Sequence, residues 1–252
     1  MTLSRKIRLA LYDPAVAMQR LGLSTDSSGH GSRFVEWIDH RYVRKNGLEG
    51  FFEELGTTKG ETYKLFASGH KIADSLRLFR EIKNNKFKTV VEFGSGLSTL
   101  SMAKAMQSNA IDGMIYSVES DERWADVVRA NAARSGLEKY INISVSKPEL
   151  IEMDGRPVAS FPVLPDVSPN LLYLDGPDPA HVGGDINGIT MKGLRYIVLC
   201  DPLRYEWSMY GGSKIIIDGR LHNALFLRTK FNRRWRMQRN PIKNTSTFTL
   251  LR

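Results

Sequence analysis

From Thr89 onward, short continuous apolar runs alternate with segments of helical period, and few folds accept that pattern. Residues 89–93 (TVVEF), 114–118, 141–145, 171–174 and 214–217 are each four or five residues long and rich in Val, Ile, Leu or Phe. A strand with one face in water alternates apolar and polar residues, whereas an unbroken apolar run has both faces covered, as in a parallel sheet under helices. Between the runs, residues 97–106, 122–134 and 221–231 read as helices, and Ile72, Leu76 and Phe79 share one face of a further helix over 71–82. Gly136 lies past the end of the 122–134 helix, where a left-handed residue closes a turn. Repeated strand–helix units of this length imply an α/β domain.

Five prolines, at 148, 157, 162, 165 and 169, interrupt the pattern and mark an irregular insertion, with Asp154-Gly155 as the turn of a hairpin. Residues 1–70 read as a helical N-terminal extension or lid and residues 71–252 as the main domain. Leu3, Ile7 and Leu11 fall on one helical face, Asp13 caps a second short helix with Pro14 at its first position, and residues 24–31 form a loop. Phe34, Trp37, Tyr42, Phe51 and Phe52 give the extension apolar area to dock against the main domain.

No run reaches the roughly 20 apolar residues of a spanning helix, and Arg5, Lys6, Arg8 and Asp13 stand where a secretory leader would be apolar. Cys200 is the single cysteine, which excludes an internal disulfide and a cysteine-rich zinc site. A cytoplasmic protein is expected. The net charge of +9 is confined to residues 219–252, which hold nine basic residues and no acid.

In open parallel sheets ligands bind beyond the carboxyl ends of the strands, and those ends carry the informative residues. The first strand runs into Glu92-Phe93-Gly94-Ser95-Gly96-Leu97-Ser98-Thr99. Two glycines let backbone and ligand approach closely, and the helix that follows offers free N–H groups. The dinucleotide fingerprint wants Gly or Ala where this chain has Thr99, so pyrophosphate binding is weakened. An acid just before the first glycine repels a diphosphate but suits a ligand with an ammonium and a sulfonium. Glu119 ends the second strand, where a carboxylate can take both hydroxyls of a ribose. A tight turn with no ligand and a dinucleotide site stay open as alternatives.

With Glu92-x-Gly94-x-Gly96 followed by Glu119, the segment from Lys71 to Arg252 resembles the class I, Rossmann-like methyltransferases that use S-adenosylmethionine. The resemblance implies a seven-stranded, mostly parallel sheet with helices on both faces and an antiparallel last strand over 245–251. It assigns cofactor binding to Glu92, Gly94, Ser95, Gly96 and Glu119. Ser98 stands where the family often has a third glycine.

The fourth strand ends Leu174-Asp175-Gly176-Pro177-Asp178-Pro179, and in family members the residue here faces the transferred methyl. Asp175 is the first candidate for catalysis, as a base toward an acceptor hydroxyl or as a metal ligand; capping its own loop is the structural alternative. His181, in a glycine-rich loop, is the second, with simple solvation as its alternative. Asp218-Gly219 replaces the acidic pair of the metal-dependent relatives, so a divalent metal is an alternative and not the favoured reading. The nitrogen-methylating motif, Asp or Asn followed by Pro-Pro-aromatic, is absent, which favours oxygen in a small-molecule or saccharide acceptor. Asp26, His30 and His70 precede the motif, and the two histidines are read as solvated.

Arg228, Lys230, Arg233, Arg234, Arg236 and Arg239 crowd together after the fifth strand, and Arg5, Lys6 and Arg8 sit on the first helix. A solvated helix face competes here with an anionic partner. A membrane surface is favoured over nucleic acid, because Phe231 and Trp235 suit packing better than base stacking. An RNA-directed methyltransferase and a catalytically silent partner module remain as alternative functions.

Overall fold

The computed structural model describes residues 41–56, 69–194, 196–240 and 244–252. The expected helices of the first twenty-two residues, the loop at 24–31, and Asp26, His30, Phe34 and Trp37 lie outside the described residues, as does the side chain of His70. In chain order the main elements are α1 (Glu49–Gly56), α2 (Gly69–Asn85), β1 (Thr89–Phe93), α3 (Leu97–Ser108), β2 (Met114–Glu119), α4 (Glu122–Arg134) and β3 (Ile141–Val145). They continue with β4 (Glu149–Met153), β5 (Arg156–Ser160), β6 (Leu171–Leu174), α5 (Pro202–Tyr205), β7 (Lys214–Asp218), α6 (Leu221–Lys230), β8 (Trp235–Asn240) and β9 (Thr245–Leu250).

Seven strands form one sheet in the order β3-β2-β1-β6-β7-β9-β8. The four pairings that join β3, β2, β1, β6 and β7 are parallel, β9 runs antiparallel to β7, and β8 runs antiparallel to β9. The antiparallel last strand therefore agrees with the sequence reading. The strand β8 was not expected. Its apolar content is only Trp235 and Met237, which alternate inward with Arg239, while Arg236, Gln238 and Asn240 point outward. A half-exposed edge strand with charges on its outer face has this pattern.

Successive residues of a strand point to opposite faces, and β1 shows what that does to the core. Val90 joins Ile115, Leu171, Tyr173 and Ile216 on the face covered by α2 and α3. Val91 and Phe93 join Leu172, Leu174, Ile217 and Phe248 on the face covered by α6 and the insertion. Burying each such side chain contributes about 1.5–3 kcal/mol, which is why β1 tolerates no alternation. The insertion is a β4–β5 hairpin turning at Asp154-Gly155, both at positive φ (52° and 72°). Its Leu150, Val158 and Ala159 close the second half of the core.

Residues 41–56 dock on the first face through Val43, Leu48, Phe51 and Leu55. The Arg80 guanidinium lies 3.8 Å from the centre of the Tyr42 ring, and Lys83 donates to Asn46 Oδ1 at 2.9 Å. Among the described residues no helix is long and apolar enough to cross a membrane.

Candidate active site

After β1 the chain builds outward through β2 and β3, then returns to place β6 on the other side of β1. Adjacent crossovers leave in opposite directions at that point, which opens a crevice beyond the carboxyl ends of β1 and β6. The crevice here is a cleft of about 950 Å³ bounded by the ends of β1, β2, β6 and β7 and by α2.

Two backbones meet at its floor. Gly94 has φ +92°, and a Cβ there would lie 3.1 Å from the Gly176 nitrogen; one on Gly176 would lie 3.0 Å from the Phe93 carbonyl oxygen. The loops after β1 and β6 thus touch directly, joined by the Gly176 N–H donating to Phe93 O at 2.7 Å. Gly96 lines the cleft too, and a Cβ on it would meet nothing within 4 Å, so this glycine keeps space open.

Glu92 departs from the sequence reading. It shares the parity of Val90 and so points to the face covered by α3 instead of into the cleft. It is fully buried, its carboxylate accepts from Ser98 Oγ at 2.5 Å, Thr99 Oγ1 at 2.5 Å and Ser117 Oγ at 3.0 Å, and it is not among the cleft residues. Thr99 Oγ1 also accepts from the Gly96 N–H at 2.9 Å. Burial raises the Glu92 carboxyl from its ordinary value of 4.5 to about 8, against the pull of the three hydroxyls and with a further push from Asp175. Glu92 is therefore the anchor that fixes the glycine loop on α3. Ser98 and Thr99, the two departures from glycine motifs, are the hydroxyls that hold it.

Glu119 does reach the cleft. One of its oxygens accepts from Ser95 N at 2.8 Å and Ser95 Oγ at 2.9 Å. The other accepts from Ser120 N at 2.6 Å, Asp121 N at 3.1 Å and Ser120 Oγ at 3.2 Å. Backbone amides fix the carboxylate, and two serine hydroxyls, which can rotate away, complete its shell. Trp124 Nε1 donates to the Ser95 carbonyl at 2.8 Å and closes this side of the cleft.

His181 stands with Glu119. Its Nδ1 lies 3.0 Å from Ser120 Oγ, on the short turn Pro179–His181. The loop after β6 is long enough to swing back over the end of β2, and it carries the ring to the Glu119 side of the cleft. Asp175 and His181, the first and second candidates for catalysis, both line the cleft, with His181 beside Ser120.

Asp175 follows β6 with its side chain exposed on the cleft wall. Arg220 clamps its loop, donating through Nε and Nη2 to the Asp175 carbonyl at 3.1 and 2.5 Å and through Nη2 to the Pro177 carbonyl at 3.0 Å. Beside it Asp218, which the sequence reading places here, is joined by Asp74, Arg77 and Tyr173, which it does not. Asp218 ends β7 on the α2 side; Tyr173 donates to it at 3.3 Å, and Arg77 Nη2 lies 3.5 Å from Asp218 and 3.7 Å from Asp74. Burial first, then the charge of Asp218, holds the Asp74 carboxyl well above its ordinary value. Burial disfavours the Arg77 cation, but Asp218 and Asp74 outweigh it and raise its pKa. Burial likewise raises the Tyr173 phenol, with Asp218 and Asp175 adding to the effect. Asp74 and Arg77 sit one helical turn apart on α2, so an i, i+3 acid–base pair aimed at a strand end was their only sequence signal. Among the described residues no group of three or more His, Cys, Asp or Glu is arranged to hold a metal ion.

No protein-family model matches the sequence, and no curated protein does. Solved structures do resemble the fold. A methyltransferase from Podospora anserina, solved with S-adenosylhomocysteine bound, superposes with a TM-score of 0.50 over 81% of this chain and 88% of its own, at 10% identity. The O-methyltransferase TomG from Streptomyces achromogenes, solved with S-adenosylmethionine, covers 83% of this chain and 98% of its own at 12% identity and a TM-score of 0.45. An O-methyltransferase from Bacillus cereus covers 85% and 90% at 11% identity and a TM-score of 0.41. A parallel sheet whose order reverses at Gly94 and which β9 and β8 complete is, in this chain, the class I Rossmann-like methyltransferase fold.

Proposed function

We propose that this chain is an S-adenosylmethionine-dependent methyltransferase acting on a hydroxyl of a small-molecule or saccharide acceptor. The observation that carries the reading is Glu119, a carboxylate fixed by backbone amides at the cleft end of β2, next to the open position at Gly96. A ribose diol can replace the Ser95 and Ser120 hydroxyls on its two oxygens without disturbing the amides. Gly94, Ser95 and Gly96 offer the close backbone approach such a ligand needs, and Trp124 and His181 supply walls beside Glu119. These residues fit the cofactor. When bound, it supplies an electrophilic methyl carried on a sulfonium.

The chain's own work is then alignment and the handling of one proton. Asp175, exposed on the cleft wall beyond β6, accepts the proton that leaves the acceptor hydroxyl as that oxygen attacks. Arg220 holds the Asp175 backbone and so fixes where the carboxylate stands. Asp74, Tyr173 and Asp218 border the same part of the cleft and offer hydrogen bonds to neighbouring hydroxyls of the acceptor.

Calorimetry tests the cofactor assignment: S-adenosylhomocysteine should bind and NAD should not. Incubation with methyl-labelled cofactor and fractionated cell extract then tests the activity. Label appearing on an alkali-stable ether supports the oxygen acceptor, and label on nitrogen would move the reading to an N-methyltransferase.

A further inference from the structure

The cleft does not end at its outer wall. There the Tyr196 phenol stacks on the His222 imidazole, with ring centres 4.3 Å apart and planes at 18°. Both rings also line a second hollow of about 400 Å³, walled by Arg156, Pro157 and Val158 of β5, by Val198, and by Leu225, Phe226 and Thr229 of α6. The aromatic pair thus borders both spaces, which lie side by side across it.

The two spaces differ in chemistry. The cleft beside Asp175 is bordered by carboxylates and a phenol. The backbone under the hollow is already paired: Ala159 N–H donates to Val198 O at 2.8 Å, Cys200 N–H to Ala159 O at 3.0 Å, and Leu199 exchanges bonds of 2.8 and 3.0 Å with the Asn223 amide. Apolar side chains therefore make up most of its walls, with the exposed Arg156 and Thr229 as polar neighbours. Tyr196 is 55% exposed and Leu225 41%. Large apolar side chains left in water around one concavity mark a binding surface.

We propose that the hollow is a tail subsite for an amphipathic acceptor, whose hydroxylated head lies by Asp175 and whose hydrocarbon tail passes the Tyr196–His222 pair to rest on Val158, Val198 and Leu225. The proposal rests on the methyltransferase reading of the cleft and adds the substrate class: an alkyl- or prenyl-bearing hydroxyl compound instead of a wholly polar one. Continuity argues for this occupant, since a ligand spanning both spaces must change from polar to apolar where the chain's own walls do.

Alkyl β-glucosides from hexyl to decyl, kept below their micellar concentrations, are the probe. Titrated into the full-length chain and followed by calorimetry, they should bind about fourfold more tightly for each added methylene until the hollow is full. Leu225→Glu, at an exposed position, should abolish that chain-length dependence while leaving S-adenosylhomocysteine affinity and melting temperature unchanged. Thr229→Asp on the same rim repeats the test should Leu225→Glu fold poorly. Asp175→Asn should weaken every homologue by a common factor. Affinity independent of chain length, or a dependence that survives both rim variants, would overturn the subsite. A chain-length dependence untouched by Asp175→Asn would overturn its link to the cleft. Failure of S-adenosylhomocysteine to bind the wild type would strike the methyltransferase reading alone, because the glucoside series run without it still reports on the hollow.

Discussion

Two carboxyl groups of the glycine-loop region, Glu92 and Glu119, point in different directions, one under a helix and the other past a strand end. On the proposed cofactor assignment, Glu119→Ala removes the acceptor of two ribose hydrogen bonds, each worth about 1.5–3 kcal/mol to a charged group, so S-adenosylhomocysteine should bind at least tenfold more weakly by calorimetry. With Asp175 as the proposed base, Asp175→Asn keeps the shape of the loop and removes the proton acceptor; turnover should fall about 100-fold while cofactor affinity stays, as single-turnover and binding measurements on one preparation would show. For Glu92 the readout is stability. Its carboxyl titrates near 4.5 when the chain is unfolded and near 8 when folded, so between those values the folded state holds the extra proton. Stability is then greatest below the lower value and is lost as pH rises through the upper one. Melting temperature should decline from about pH 5 to pH 8, and Glu92→Gln, whose amide oxygen can accept from Thr99 and Ser117 while its NH2 donates to Ser98 Oγ, should flatten that decline. A parallel decline in both proteins would mean another group titrates.

At the scale of elements, the contact between the β1 and β6 loops depends on having no side chain at either glycine. Gly94→Ala places a Cβ 3.1 Å from the Gly176 nitrogen at φ +92° and should destabilise the fold by about 1–3 kcal/mol in chemical denaturation. The edge strand β8 is held at its start by a buried carboxylate. Glu206 accepts from the Arg233 N–H at 2.7 Å, the Asn232 N–H at 3.1 Å and Trp235 Nε1 at 3.1 Å, while Arg233 Nη1 donates to the carbonyls of Glu206 at 2.9 Å and Met209 at 2.6 Å. Arg233→Ala strands two carbonyls and should cost about 1–3 kcal/mol, whereas Arg236→Ala, pointing outward from the strand, should leave the denaturation midpoint in place.

For the whole molecule, the basic C-terminal stretch divides between structure and surface. Lys230 pairs with Asp154 of the hairpin, Arg239 donates to Ser246 and Asn244, and Arg220 and Arg233 clamp loops. Arg228, Arg234 and Arg236 remain exposed. These three, together with Arg5, Lys6 and Arg8, are the residues we propose meet an anionic surface. Sedimentation with vesicles should require anionic lipid, weaken as salt rises and drop in the Arg228→Ala, Arg234→Ala, Arg236→Ala triple variant. Equal recovery on neutral vesicles would refute the surface, and tight, salt-sensitive RNA binding would replace it with a nucleic acid.

The order of elements from α2 to β3, and the strands β6 and β7, could be read from sequence because burial on both faces forces continuous apolar runs, and such runs are visible one residue at a time; the short α5 between β6 and β7 was not read. The hairpin at Asp154-Gly155 was legible for a similar local reason, since both residues adopt positive φ. Gly94, Gly96 and Glu119 could be placed at the cleft because each stands at or just past a strand end. The direction of Glu92, the swing of His181 toward Ser120, and the meeting of Asp74 and Arg77 with Asp218 were decided by tertiary structure alone. A strand end fixes where a Cα stands, but which face covers it, and which distant side chain arrives there, depends on how helices and long loops pack. The strand β8 escaped for the complementary reason: it buries only one face at an edge, and its inward residues are held by Glu206, Ser246 and Asn244, partners that appear only once the sheet has formed.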